Sequence, residues 1–390
     1  MRIDRRRFLG ALAATACVGA CPGLTFAAGP GPDARRLVVL LLRGGLDGLH
    51  AVPAYADPAW QRLRGKFELE LPAATRLDGL FALHPALAFS RELYGRGQLL
   101  PVLGVAPPYQ GRSHFDAQDC LENGGRKPGE HRDGWLNRCA GALAGSEALA
   151  IASVTPLIFR GPQPVANWWP GLPREVSPAL MQRLAPLYAR DPVLAGAYET
   201  AMAAAEEGMD PMDVRAGRQS RLPMLMAHAG RVMAEPQGPR LAFVEDTGWD
   251  SHGNQANQLQ RKLAELDAAL KAFHDAAGAR WADTAVVVVT EFGRTAAING
   301  TRGTDHGTGS HAFLAGGAVQ GGRIAGQWPG LAPADLNEGR DLRAGTDLRA
   351  LFKGVLASHL GLSEAVLAEQ VFPGSAGLAP MEDLLRARPA

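Results

Sequence analysis

Cysteine is scarce in this 390-residue chain: there are four, two of them (Cys17 and Cys21) within the first 27 positions, leaving Cys120 and Cys139 beyond. With no Cys-x-x-Cys pair, a thiolate zinc site is excluded, and any metal must be held by histidine and carboxylate. An excess of one charge is lacking too. Forty basic residues face 39 acidic ones, for a net +1, without a sustained run of one sign. That balance excludes the electrostatic footprint of a nucleic-acid or anionic-membrane binder and points to small-molecule partners. Long apolar runs are absent as well. The run from Ala11 to Ala20 is too short to span a bilayer, which takes roughly 20 apolar residues, so no integral membrane span is expected.

What the first 27 residues do contain is an address. Arg5, Arg6 and Arg7 precede Phe8 and Leu9, an Ala-rich stretch follows, and small residues surround Ala27. This is the order of a twin-arginine signal, cleaved here after Ala27 and read by the twin-arginine translocation machinery, which exports proteins already folded. A periplasmic or secreted location is the expectation. Val18-Gly19-Ala20-Cys21 also loosely resembles a lipoprotein processing box, so acylation at Cys21 is a second expectation.

Residues 28–390 are read as one α/β domain. Uninterrupted aliphatic runs at Leu37 to Leu42, Leu99 to Val105, Leu149 to Val154, Leu241 to Val244 and Ala285 to Thr290 suit strands buried on both faces of a mostly parallel sheet. Helical spacing appears between them, at His84 to Tyr94, Trp135 to Leu143 and Gln255 to Ala276. The alternation predicts a sandwich with helices on both sheet faces. The segment at about 156–239 shows no convincing strand and reads as a mainly helical insertion, its methionines packing between helices.

Chemistry concentrates after the strands, where open α/β sheets bind ligands. The first strand leads to Gly44-Gly45-Leu46-Asp47, where Asp47 is either a presented carboxylate or a turn residue. The second leads to Arg112-Ser113-His114, with Ser113 either a nucleophile or the N-cap of a helix starting near Phe115. The fourth ends before Asp250-Ser251-His252, whose carboxylate and imidazole share one side of an extended chain. The fifth runs into Glu291 and Arg294. A carboxylate there needs a cation or good donors, and Arg294 is either that cation or a clamp for a substrate oxyanion. Last come Asp305-His306 and His311 on a Gly-rich loop. Of ten histidines, His114, His252, His306 and His311 fall in these clusters, and the other six are read as packing or surface. Convergence of Asp47, Asp250, Glu291, with or without Asp305, and these imidazoles calls for divalent metal, zinc or manganese rather than magnesium or calcium.

Taken together, the motifs around Asp47, Ser113, Asp250, Glu291 and His306 resemble the twin-arginine-exported, sulfatase-like proteins called domain of unknown function fifteen-oh-one. The resemblance implies an alkaline phosphatase-like three-layer sandwich and hydrolysis of phosphate, sulfate or phosphonate esters on a small molecule or glycan. It places Ser113, with His114 and Arg294, in the catalytic role. Asp47, Asp250, His252, Glu291 and either or both of His306 and His311 would hold one or two metal ions. Phe292 stands where the superfamily's Asp-His pair has its histidine, and no Cys-x-Pro-x-Arg formylglycine signal is present. The alternative function is a non-catalytic metal- or glycan-binding envelope protein derived from that fold, with a structural envelope partner as a third reading.

Overall fold

All seven residues of β1 (Arg36–Leu42) are buried. Its side chains alternate between two cores, Val38, Leu40 and Leu42 entering one and Leu37, Val39 and Leu41 the other, as the two-residue period of a strand dictates. The computed structural model describes residues 34–143, 147–170 and 221–387, with isolated positions at 183, 185 and 186. The signal, Cys21 and much of the 156–239 segment, including Met202, Met209 and Met212, lie outside the described residues.

The other strands are β2 (Leu99–Ala106), β3 (Ala148–Ile151), β4 (Ala166–Trp168), β5 (Leu241–Asp246), β6 (Thr284–Val289), β7 (Ser310–Ala315), β8 (Ala325–Gly326) and β9 (Thr346–Asp347). They form one sheet in the order β4-β3-β5-β1-β6-β7-β2-β8, with β9 also on β2. β7 runs antiparallel to both neighbours, β6 and β2. All other pairings are parallel. The consequence is positional: the N-terminal end of β7 shares an edge with the C-terminal ends of β1, β2, β5 and β6.

Among the described residues, six helices of eight residues or more cover the sheet: α1 (Ala88–Gly95), α2 (His114–Asn123), α3 (Trp135–Ala142), α4 (Leu222–Ala234), α5 (Gln255–Ala277) and α6 (Leu348–Leu360). Leu93 of α1, Met226 of α4 and Leu259 and Leu263 of α5 close one core. Leu121 of α2, Trp135 of α3 and Phe352 of α6 close the other. The three-layer sandwich follows. Inside the segment expected to be a helical insertion, β4 adds an edge strand and α4 packs on α5 as part of the helical layer. Three residues, Ala-Asn-Trp, are too few to show strand periodicity. Among the described residues no helix is long and apolar enough to cross a membrane. Cys120 and Cys139 are free and buried, with both thiols pushed up to about 12 by burial.

Burial also keeps several histidines neutral. It lowers His50 to about 3 and His84, His228 and His311 to about 4, from an ordinary 6.5. In the unfolded chain these groups protonate near pH 6.5, whereas in the folded chain they resist until about pH 4. The stability they contribute is therefore complete above pH 6.5 and drains as pH falls toward 4, by up to about 1.4 kcal/mol per pH unit for each histidine. The urea midpoint is expected to drop steadily from pH 6.5 to 4.5. A flat midpoint across that interval would contradict the burial argument.

Candidate metal centre

The loops leaving the common edge of the sheet meet over β1 and β6. Gly44 makes the close approach possible: its φ is +122°, and a Cβ there would lie 2.4 Å from the backbone nitrogen of Asp250. The β1 loop and the β5 loop therefore touch backbone to backbone. Into this junction come His114 from the first turn of α2, Asp250 and His252 from the loop before α5, and His306 from the loop before β7. His306 belongs to a segment preceding its strand because β7 is reversed.

Three imidazoles converge. His306 Nε2 lies 3.0 Å from His114 Nε2, 3.1 Å from His252 Nε2 and 3.1 Å from Asp250 Oδ1. His252 Nε2 is 2.9 Å from the same Oδ1, and His114 Nε2 is 3.4 Å from Asp250 Oδ2. Ligand atoms of His114, Asp250 and His306 all lie within 4.8 Å of one another. Four donors at zinc-like bond lengths of about 2.0–2.1 Å from one centre would sit about 3.3–3.4 Å apart. The spacing among His114, Asp250 and His306 is of that order, whereas His252, close to His306 and Asp250, lies outside the group whose ligand atoms are all within 4.8 Å of one another.

The far side of each ring points the same way. His114 Nδ1 faces Glu291 Oε1 at 2.7 Å, His306 Nδ1 faces the Arg112 carbonyl at 3.1 Å, and His252 Nδ1 approaches Asp305 Oδ1 at 3.6 Å. With a proton on each Nδ1, every Nε2 lone pair is turned to the shared point, which is how metal-binding histidines are oriented. Nitrogen lone pairs facing each other repel. A cation is what the donors of His114, Asp250 and His306 fit, with the more exposed His252 at the edge of that group.

Electrostatics hold the carboxylates charged. Burial raises Asp250, but the hydrogen bond and charge of Arg294 outweigh it and bring the group down to about 2. Glu291 is raised by burial and lowered by hydrogen bonds from His114, Gln118 and the Gly44 N–H, ending below its ordinary value. His114 is raised by its hydrogen bond to Glu291, while burial lowers His306.

Several residues expected here take other roles. Asp47 is buried and caps the helical turn Gly48–Ala51, accepting from His50 N at 3.2 Å. It is bound by Arg64 at 2.6 Å and by Gln255 at 2.5 Å, so its oxygens are spoken for. The turn reading of Asp47 is the one the structure shows. His311 lies within β7, fully buried, with Nδ1 on the Ser310 carbonyl, and it does not join the cluster. Glu291 stands behind His114 as its orienting acceptor. Arg294 pairs with Asp250 and not with Glu291. Its other bonds go to the Gly45, Gly44, Trp249 and Thr304 carbonyls and its side chain is 0% exposed, so it braces two loops and presents no open face to an oxyanion. Ser113 is the N-cap of α2, accepting from Asp116 N at a long 3.5 Å.

Two participants were missed from sequence. Gln118 donates to Glu291 at 2.9 Å; its place four residues after His114 on α2 is a signal that could have found it. Arg43 bridges Glu122 and Glu245 beneath the site.

A family model described as protein of unknown function (DUF1501) matches residues 106–371. The chain belongs to the DUF1501 family. The match takes in the segments bearing Ser113, Asp250, Glu291 and His306, while the glycine-rich β1 loop lies before it. No curated protein matches the chain. Among solved structures it is similar to a protein in the alkaline phosphatase superfamily from Vibrio parahaemolyticus, at 11% identity and TM-score 0.39, covering 84% of this chain and 72% of that one. It is also similar to Ps i-CgsB in complex with k-i-k-neocarrahexaose, at 8% identity and TM-score 0.37, covering 89% and 74%. A third is BT1596, a 2-O GAG sulfatase, at 13% identity and TM-score 0.32, covering 75% and 66%.

Proposed function

We propose that this DUF1501 protein is an exported, metal-dependent hydrolase of phosphate, sulfate or phosphonate esters carried on a small molecule or glycan. The observation that carries the reading is the shared orientation of His114, His252 and His306, each with Nδ1 toward an acceptor and Nε2 toward Asp250 and its neighbours. A divalent ion held there supplies Lewis acidity toward an ester oxygen and the positive charge that favours an ionised oxygen nucleophile at neutral pH.

The chain's own residues have separable tasks. Glu291 fixes the ring of His114, and Arg294 fixes Asp250. The half-exposed edge formed by Asp250 and His252 is the side open to substrate. Ser113 sits at the start of ten-residue α2, where backbone N–H groups favour an approaching anion. Its hydroxyl is engaged by the long cap bond and by the Tyr109 side chain. In the proposed reaction Ser113 Oγ adds to phosphorus or sulfur, the alcohol leaves carrying the serine proton, and water then cleaves the serine ester.

Elemental analysis of the purified protein, with aryl phosphate, aryl sulfate and aryl phosphonate substrates, tests this reading. Stoichiometric zinc or manganese and turnover that falls at least about 100-fold in Ser113→Ala are expected. Bound metal without turnover on any ester would move the protein to the second reading, a binding protein built on the same fold, which the capping role of Ser113 favours. Protein free of metal after supplementation would remove the metal-dependent hydrolase and leave a metal-independent glycan-binding or structural envelope role.

A further inference from the structure

Resting on the metal-centre reading, we infer that Asp341 and Arg112 are positioning residues for His306, holding its ring in place without touching the centre. Arg112 is a non-glycine residue in the left-handed region, at φ 57°, a conformation that persists only where the surroundings impose it. That twist aims its carbonyl at His306 Nδ1, 3.1 Å away. The guanidinium is what anchors the twist. Arg112 Nη2 donates to Glu338 at 2.8 Å and to Asp341 at 3.1 Å.

Asp341 reaches the other side of His306 as well. Its Oδ2 accepts from Thr308 Oγ1 at 2.6 Å and its Oδ1 from Arg340 Nε at 3.0 Å, while Arg340 Nη2 donates to the His306 carbonyl. A Cβ on Gly307 would lie 2.8 Å from the Asp341 Cβ and 2.6 Å from the Arg294 carbonyl carbon, so the loop is pinned between the two. One buried carboxylate, 0% exposed, thereby ties the acceptor of the ring to the backbone that carries the ring. Neither Arg112 nor Asp341 offers an atom to the cluster of Nε2 groups. The hydrogen bonds that link them to the cluster run through the ring and backbone of His306.

Cobalt(II) titration of the full chain, followed by its d–d absorption, tests the inference on wild type, Arg112→Ala, Arg112→Lys and Asp341→Asn. Orienting partners behind metal ligands typically alter affinity by about 10–100-fold when removed. Loss in that range is expected for Arg112→Ala and Asp341→Asn, with Arg112→Lys recovering part of it. The Nδ1 proton of His306, seen by NMR in the metal-free wild type, is expected to exchange faster in both weakened variants, which general destabilisation measured by urea midpoint would not produce selectively. If Asp341→Asn does not fold, Arg112→Ala decides, since its side chain is 26% exposed. Folded variants that bind cobalt within twofold of a binding wild type would overturn the positioning role. A wild type that takes up no cobalt would instead overturn the centre itself, and the two failures are read from different samples.

Discussion

His306→Ala is expected to weaken zinc or cobalt binding by more than about 100-fold, beyond the range produced by altering partners behind a ligand, while leaving the metal-free protein nearly as stable as wild type. The asymmetry comes from position. His306 Nε2 lies within 3.0–3.1 Å of a donor atom on each of His114, His252 and Asp250. Its ring is partly solvent-exposed at 26%, so truncation removes little packing. Asp250→Asn is the informative companion. It preserves shape but removes the charge that Arg294 holds ionised, and it should lower affinity without unfolding the loop. Competition with a chromophoric chelator measures both. Retention of wild-type affinity in His306→Ala would mean the imidazoles converge for some purpose other than holding an ion.

Asp47→Ala is expected to do the reverse, costing stability while sparing the centre. Arg64 and Asp47 are both essentially inaccessible to solvent and 2.6 Å apart. Burial raises the Asp47 carboxyl, and the charge and hydrogen bonds of Arg64, with help from His50 and Gln255, together outweigh this and keep it ionised below its ordinary value. Without Asp47 the guanidinium retains the Ala296 and Thr295 carbonyls but no counter-charge. Breaking one side of a buried pair costs about 3–5 kcal/mol, whereas replacing both sides with apolar residues of similar volume is often neutral. Asp47→Leu combined with Arg64→Met should therefore recover most of the urea midpoint lost in Asp47→Ala. Metal content per folded molecule should match wild type in both. Loss of metal with an unchanged midpoint would return Asp47 to the ligand set that its sequence position suggested.

The contrast between Asp47 and Asp250 shows where sequence reasoning stops. Strands buried on both faces need unbroken aliphatic runs, so β1, β2, β5 and β6 were legible to within a residue or two. β7 was hidden because it opens with Ser310 and His311, and its reversal, which brings His306 to the site, is a pairing choice made by neighbours far away in sequence. His306 and His311 stood as equals on paper. In the structure one precedes the strand and faces the centre, and the other lies within the strand, shut inside. Likewise a carboxylate after a strand can be a ligand, an orienting acceptor or half of a buried pair, according to which side chain lies across from it. For Asp250 that neighbour is Arg294 and for Glu291 it is His114, while for Asp47 it is Arg64, on a helical turn with no chemical signature. The carbonyl of Arg112 had no signal at all, since any residue supplies one.

The centre is assembled by segments remote in sequence, His114 and His306 standing 192 residues apart. No local piece of chain can imitate it. An ion that binds the folded molecule alone adds RT ln(1 + [M]/Kd) to stability, about 4.1 kcal/mol at a thousandfold excess over Kd. Global unfolding of a metal-loaded molecule would therefore release the ion, and a metallochromic dye in the surrounding solution would report that unfolding wherever in the sandwich it began.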